Sequence, residues 1–422
     1  MRVAHLLRKY NPAEWGGTET AIHRLTLGLA AHGVESVGYA PQLASVTTSM
    51  DPLASGGCEV RRFRAVVPVW GISTERRRQM VAVGGNVVSF DLLGSLWRER
   101  ARIDVIHSHA LGRLGATGHA IARSRRIPFV ISVHGGAYDL PAAVRDGMSR
   151  AGEGFDWGRA FGLLLRARGL FAASDAIVTV NEREARLIRE RHPGRRVLVQ
   201  PHGVPAAAYA CDQRRAARES FPEIVGREVL LVLGRIDPTK NQAWLVAETA
   251  ELARRHPRAM VVLAGACMDP EYGKALQARI DGSGLGHAVR LTGNLPPGDP
   301  RLLGLLQEAR AMVLTSQSET FGIAILEAWA AGTPVIASRT TGATALVEDG
   351  VNGFIFDLLR PETFHAAADR VLGSPEVRGR LGAAGRAKVI AHHDTLALTG
   401  QTKRLYEQLI EEKHAHRNLA RR

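Results

Sequence analysis

The stretch AMVLTSQSETFGIAILEAWAAGTPVIAS, residues 311–338, decides the reading of the fold. Its ends, AMVLTS (311–316) and PVIAS (334–338), are short apolar runs that predict buried strands. Between them, IAILEAWAA (323–331) predicts a helix over 321–331. That run is apolar on every side, so the helix is expected to be buried. Glu327 is its one charged residue. A glutamate is almost never fully buried without a partner, and an unpaired buried carboxylate costs several kcal/mol or takes up a proton. Two readings of Glu327 stay open: a core salt bridge to a distant arginine, or an acceptor for ligand hydroxyls. Glu319 lies eight residues upstream, where it serves either a ligand or the positive end of the helix. In one continuous helix that spacing would separate the two carboxylates by about 12 Å and about 80°. They can serve one ligand only if the helix begins after Glu319.

The same alternation extends upstream. VLLVLG (229–234), MVVLAG (260–265) and AVRLTG (288–293) read as strands, with helices near 242–256, 270–282 and 300–310. The first half repeats the theme with VAHLL (3–7), ESVGYA (35–40), IDVIHSH (103–109), PFVISVH (128–134), AIVTV (176–180) and VLVQ (197–200). A clear amphipathic helix occupies 18–32 and stops at Gly33. Near-continuous apolar strands separated by helices mean parallel sheets covered on both faces. The fold class is therefore α/β, with two Rossmann-like domains, 1–205 and 206–395. Ligands in open α/β sheets bind at the carboxyl ends of the strands, so a cleft between two such domains is the expected site. Segment 41–100 is the least regular and reads as insertions and acceptor-side loops.

A chain of 422 residues, 45% apolar and 23% charged, is ordinary for a soluble protein of two or three domains. Cys58, Cys211 and Cys267 are far apart and form no C-x-x-C pair. Neither a disulfide framework nor a zinc finger is indicated, and the usage suits a reducing cytosol. There is no apolar run of about 18 residues, and the apolar stretch of MRVAHLLRKYNP is too short for a signal peptide. A cytoplasmic location is expected, with contact at the inner face of the cell membrane left open. The net charge of +14 fits anionic lipid, an anionic substrate or simply solvated helix faces. No nucleic-acid-reading motif accompanies it, so nucleic acid is not expected as a partner.

Several short constellations carry candidate chemistry. In LGRIDPTKNQAW (233–244), Arg235 and Lys240 follow a core strand on one short loop. Two cations there can neutralise a diphosphate or stay solvated. Thr320, Phe321, Gly322 and Ile323 fall where the central helix should begin, with Ser318 or Thr320 as its cap. A helix N-terminus offers free N–H groups to a phosphate. Gly16 and Gly17, in EWGGTET (14–20), follow the first strand and open the first long helix, the same phosphate-binding context. The full G-x-G-x-x-G fingerprint is missing, which argues against a dinucleotide dehydrogenase. His134, in VHGGAYD (133–139), ends a strand and can donate to a sugar hydroxyl or phosphate, or simply pack; His107 and His109 carry the same ambiguity. No His/Asp/Glu set stands at metal-ligand spacing, so no metal site is expected.

Taken as an ordered set, these segments resemble the GT-B glycosyltransferases, specifically the large retaining family 4. The resemblance spans about residues 1–395 and is carried by GGTE, VHG, VTVNEREA, PHGV, GRIDPTK, ETFGIAILEAWAAGTPVIAS and VEDGVNGF, in order. It implies that two domains face a cleft and that a C-terminal segment, 396–422, crosses back to the N-terminal domain as a helix with a basic tail. It implies a metal-independent transfer of a hexosyl group from a nucleotide-diphosphate sugar, UDP- or GDP-linked, with retention. The acceptor would be a saccharide, a lipid-linked saccharide or a small molecule, in polysaccharide or glycoconjugate biosynthesis. Arg235 and Lys240 would hold the diphosphate, Glu327 the ribose and Glu319 the sugar hydroxyls. Gly17 would lie against the diphosphate, and His134 beside the donor sugar near the reaction centre.

Three positions depart from the family pattern. Asn241 replaces a frequent glycine, which makes the loop less free to adopt positive φ. Gly265-Ala266-Cys267 replaces a common Gly-x-Gly, and Ala345 stands where many members carry a glutamate. A GT-B-like epimerase would use the same donor without an acceptor. A non-catalytic nucleotide-sugar-binding partner subunit would not need Glu319, Glu327, Arg235 and Lys240 intact.

Overall fold

The structure, a computed structural model, describes residues 1–12, 16–43, 51–82, 84–85, 87–134, 138, 155–267, 269–296 and 298–419. Contacts divide the chain into two compact units. One comprises Met1–Ala13, Ala21–Pro201 and Leu396–Arg422, the other Glu14–Thr20 and His202–Thr395.

The strands of the first unit are β1 (Arg2–Leu6), β2 (Glu35–Pro41), β3 (Cys58–Phe63), β4 (Val69–Trp70), β5 (Val105–Ser108), β6 (Phe129–Val133), β7 (Phe155–Asp156), β8 (Ala176–Thr179) and β9 (Val197–Val199). Among the described residues, seven of them form one parallel sheet in the order β3-β2-β1-β5-β6-β8-β9, while β4 and β7 pair antiparallel. The second unit holds β10 (Glu228–Leu233), β11 (Ala259–Ala264), β12 (Val289–Gly293), β13 (Ala311–Leu314), β14 (Val335–Ser338) and β15 (Gly353–Phe356). They form a parallel sheet in the order β12-β11-β10-β13-β14-β15. The expected α/β class with two Rossmann-like domains is what the chain adopts.

In each sheet the chain works outward on one side and then resumes on the other. The first reverses between β1 and β5, the second between β10 and β13. Such a switch point opens a crevice at the carboxyl ends of the two central strands. Those ends are His5-Leu6 beside His107-Ser108, and Leu233 beside Leu314. Burial on both faces makes the strands apolar throughout, as in β11, AMVVLA, where every residue is buried.

The central helix of the opening stretch spans Ile323–Ala330, with Ile325 through Ala330 buried. Trp329 is fully buried, and its Nε1 donates to the Asn352 carbonyl at 2.9 Å. Gly385, on the helix Pro375–His392, admits that indole, since a Cβ there would lie 2.2 Å from Trp329 Cδ1. The long C-terminal helix, Thr395–Leu419, returns to the first unit. There Leu405, Tyr406 and Leu409 share a core with Val3, Leu29, Val105 and Val130. Among the described residues, no helix is long and apolar enough to cross a membrane.

Two expectations need correction. Segment 41–100 is more ordered than its sequence suggests: β3 extends the sheet, and helices span Thr74–Ala82 and Phe90–Glu99. β3 was hidden because CEVRRF carries charge along an edge strand, where burial no longer demands an apolar run. The GVNGF segment likewise adds β15, a strand too short to show a period.

Candidate functional site

The second unit's switch point is built from the loops after β10 and β13. Where β10 ends, Gly234 and the glycine after β11, Gly265, come close. A Cβ on Gly265 would sit 1.9 Å from the Gly234 carbonyl oxygen. The Arg235 carbonyl accepts from buried Gln242 Nε2 at 2.7 Å. Asp237 Oδ1 accepts from the Lys240 amide at 3.1 Å, and Asp237 Oδ2 lies 3.3 Å from Arg235 Nη2. Asn241 closes the turn at φ 56°, so it enters the left-handed region despite its Cβ. Asparagine tolerates that region because its short amide bonds locally.

The two loops are bonded to each other. Thr315 Oγ1 donates to the Lys240 carbonyl at 2.8 Å, and the Gln317 amide to the Thr239 carbonyl at 2.9 Å. Lys240 Nζ then donates to Glu319 Oε2 at 2.5 Å. This pair is largely shielded, with 24% and 16% of the side chains exposed, while Arg235 keeps 41%. Gly342 pins Glu319 from behind: its amide donates to the Glu319 carbonyl at 2.7 Å, and a Cβ would lie equally close.

The helix begins at Ile323, after Glu319, as a shared ligand requires. Neither Ser318 nor Thr320 caps it. Gly322 occupies the N-cap at φ 92°, with no side-chain cap bond. That leaves the helix start without a hydroxyl across it. Thr320 is exposed and Ile323 half-buried. Phe321 is buried, its ring 4.9 Å from that of His202 and 6.2 Å from that of His393. Burial lowers the His393 pKa to about 4. Glu327, 7% exposed, accepts from the Tyr209 hydroxyl at 3.4 Å. Tyr209 sits in the single turn Ala206–Ala210, which sequence spacing could not connect to a residue so far downstream. Gly16 and Gly17 open the helix Gly17–Ala31, where the Gly16 carbonyl accepts from the Thr20 amide at 3.0 Å. Residues 14–20 group with the second unit, and there a Cβ on Gly17 would come 3.8 Å from Ile323 Cδ1.

His134 belongs to the first unit. Its Nε2 is 2.9 Å from His109 Nδ1, and His109 Nε2 is 3.1 Å from His5 Nδ1. His107 packs beside them, its nitrogens 2.6 Å from Tyr406 Oη and 2.7 Å from Ser132 Oγ. Burial pushes the pKa of His5 down to about 3 and that of His134 to about 4, and holds His107 and His109 well below the usual range. His5, His107 and His109 bring ring nitrogens within 4.8 Å of one another. The sequence pattern had shown no cluster at ligand spacing, because His5 enters from β1, far away in the chain.

The first unit also carries an exposed apolar and cationic patch. Trp70 and Phe155 stack at 5.6 Å across the β4–β7 pair, and both are mostly exposed. Leu163 and Leu164, ending the helix Gly158–Leu164, are 81% and 78% exposed. Beside them Arg159, Arg166 and Arg168 line a cavity of about 750 Å³ and form no ion pair among the described residues.

Comparison with known proteins agrees over both units. Residues 15–208 match the family described as Glycosyltransferase Family 4, and residues 213–388 match Glycosyl transferases group 1. The D-inositol 3-phosphate glycosyltransferase of Frankia alni is 30% identical over 384 residues, 88% of this chain and 90% of that protein. The protein of the same name from Acidothermus cellulolyticus is 29% identical over 307 residues, 70% of this chain. The match spans 65% of that relative's length. HepE of Anabaena, solved in complex with UDP and glucose, shares the fold at a TM-score of 0.70 and 18% identity, over 96% of this chain and 99% of its own. The chain belongs to the GT-B glycosyltransferases of family 4.

Proposed function

We propose that this protein is a retaining hexosyltransferase. It takes a sugar from a UDP- or GDP-sugar and passes it to a saccharide or lipid-linked saccharide acceptor in polysaccharide or glycoconjugate synthesis. The observation that carries this reading is the convergence of Arg235, Lys240 and Glu319 at the switch point of the second sheet. As the glycosidic bond breaks, negative charge gathers on the departing diphosphate. Arg235 and Lys240 stabilise that charge, together with the N–H groups of the helix start at Ile323 and Ala324, which no side chain caps. Lys240 carries a carboxylate partner at rest, so a diphosphate competes with Glu319 for it. Glu319 is thereby freed to accept from the hydroxyls of the donor sugar. Glu327 accepts from ribose hydroxyls, and Gly16 and Gly17 let the ligand approach the backbone. His134 makes a polar contact to substrate. The charge compensation comes from these side chains and needs no metal. Attack from the face of the leaving group accounts for retention, since neither Glu319 nor Glu327 is needed as a nucleophile.

The exposed patch supports a lipid-linked acceptor and contact with the membrane surface. Large exposed apolar residues beside Arg159, Arg166 and Arg168, which form no ion pair among the described residues, suit an anionic bilayer. A second acceptor reading, an inositol phosphate, is favoured by the names of the relatives that align over most of the chain. A donor screen by thermal stabilisation tests the proposal. A ligand at 100 times its Kd stabilises by about 2.7 kcal/mol. One nucleotide sugar should raise the melting temperature and be consumed only when an acceptor is added. No response to any nucleotide sugar would overturn the proposal, and turnover to a changed free donor without acceptor would mark an epimerase instead.

A further inference from the structure

The cavity of about 750 Å³ in the first unit is lined by four arginines, Arg113, Arg159, Arg166 and Arg168, against one carboxylate, Asp156, a net of three positive charges. Arg113 is the buried member. Only 4% of its side chain is exposed, and its Nη2 lies 2.5 Å from Asp156 Oδ2. Asp156 Oδ1 accepts from the Gly158 amide at 3.0 Å, so both carboxylate oxygens are engaged. Gly158 and Gly162, one turn apart on the helix Gly158–Leu164, make room for the guanidinium. A Cβ on Gly158 would lie 2.7 Å from Arg113 Nη1, and one on Gly162 would lie 3.6 Å from Arg113 Nε. A buried ion pair adds little stability over apolar packing, so this one is better explained as the base of a polar site.

The other three arginines stand without counter-ions. Arg159, Arg166 and Arg168 are exposed, and their side chains form neither an ion pair nor a hydrogen bond among the described residues. Arg166 sits at φ 55°, in the left-handed region just past the helix Gly158–Leu164, where glycine is the usual residue. Like charges gathered in this way repel one another, and an anion placed among them removes the repulsion. The helix Gly112–Arg125 adds to the field. Its first two residues line the cavity, and no side chain caps its start. The positive end of a helix favours an anion. This helix follows β5, so the cavity lies toward the carboxyl end of the first sheet. Leu163 lines the same cavity, and both it and Leu164 are mostly exposed. A free phosphate gains nothing from an apolar rim, whereas a phosphate carried on an apolar chain does.

We propose that the cavity binds a phosphate monoester carried on an apolar chain and presented at a membrane surface. Arg159, Arg166, Arg168 and the helix start hold the phosphate, and Leu163 and Leu164 receive the start of the chain. A net of three positive charges suits a dianionic monoester better than a singly charged diester. This rests on the reading that the exposed patch meets a membrane, and it goes beyond diffuse attraction, because it selects one headgroup among lipids at equal surface charge.

Co-sedimentation of the full-length protein with vesicles of phosphatidic acid and of phosphatidylglycerol, matched in surface charge, tests the site. Phosphatidic acid should bind about tenfold tighter. Arg166→Gln with Arg168→Gln should erase that preference. Arg123→Gln with Arg279→Gln, at two exposed arginines outside the cavity, should keep it. Arg166→Gly separates binding from folding: glycine relaxes the left-handed turn, so the melting temperature should hold or rise while the preference falls. Equal binding to the two anionic lipids, or a preference that survives the paired change at 166 and 168, would overturn the site while leaving the membrane contact standing. Binding to no vesicle would overturn the membrane contact and the lipid assignment together. Glycerol 3-phosphate supplies the soluble arm. If it displaces the protein from phosphatidic acid vesicles and binds as tightly as they do, the ligand is a free phosphate ester and the lipid assignment is wrong.

Discussion

Lys240 Nζ lies 2.5 Å from Glu319 Oε2, across the line where strand order reverses in the second sheet. The two residues leave neighbouring central strands and meet where a parallel α/β sheet presents its ligand crevice. The pair is both a structural clasp between two loops and a charged site held ready for an anion.

Removing the carboxylate should separate those two roles. Glu319→Ala leaves a shielded ammonium unpaired and should cost about 1–2 kcal/mol of stability, between an exposed and a buried pair. It should also lower kcat/KM about a hundredfold, since the sugar hydroxyls lose their acceptor. Urea unfolding and initial-rate transfer assays read the two effects. A variant with lost stability but unchanged kcat/KM would reduce Glu319 to a clasp.

Glu327 should act on nucleotide affinity more than on folding. Its bond from Tyr209 is long at 3.4 Å, so Tyr209→Phe should shift stability by less than about 1 kcal/mol. Glu327→Gln nearly preserves shape but removes the charge, and should weaken donor binding about tenfold or more. Calorimetric titration with the donor checks this, and an unchanged Kd would return Glu327 to a purely structural role.

The buried histidines make stability sensitive to acid. His5, His107 and His109 have folded pKa values depressed below the unfolded value of about 6.5. Above that value neither state binds protons at these sites, and the stability is fully present. As pH falls below it, the unfolded chain takes up protons that the folded chain refuses. Stability should therefore decline from about pH 6.5 toward about pH 4, by up to roughly 1.4 kcal/mol per pH unit for each histidine. Urea midpoints at pH 7.5 and 5.5 test this, and His5→Phe should flatten the dependence.

The patch around β4 and β7 should bind anionic vesicles. Co-sedimentation with phosphatidylglycerol vesicles should exceed that with phosphatidylcholine and fall with salt, with each arginine contributing roughly 1 kcal/mol. Leu163→Ser with Leu164→Ser should abolish binding while leaving transfer to a soluble acceptor unchanged. Equal binding to neutral vesicles would contradict the charge argument.

Much of this was legible in the sequence for a physical reason. Strands such as VLLVLG and AMVLTS are buried on both faces and therefore apolar without interruption, and the helix carrying Glu327 shows the same pattern. The requirement that this helix start after Glu319 followed from helical geometry alone, and it starts at Ile323. What stayed hidden depends on distance in the chain. Tyr209 reaches Glu327, and His5 reaches His109, only once the fold brings them together. The cap at Gly322, where Ser318 or Thr320 was expected, has a different reason. A serine or threonine before a helix is a sound signal, but Gly342 packs against the backbone of Glu319 and Phe321, and the chain turns at Gly322 instead.

The central claim is that the loops after β10 and β13 hold a nucleotide diphosphate through Arg235 and Lys240. Titration of the wild type and of Lys240→Ala with UDP and with GDP, by calorimetry at low and high salt, tests it most directly. The account predicts that one diphosphate binds the wild type, that the affinity falls with salt, and that Lys240→Ala weakens it about tenfold or more while the variant stays folded. Equal affinity in the folded variant, or no binding of either diphosphate to the wild type, would contradict it.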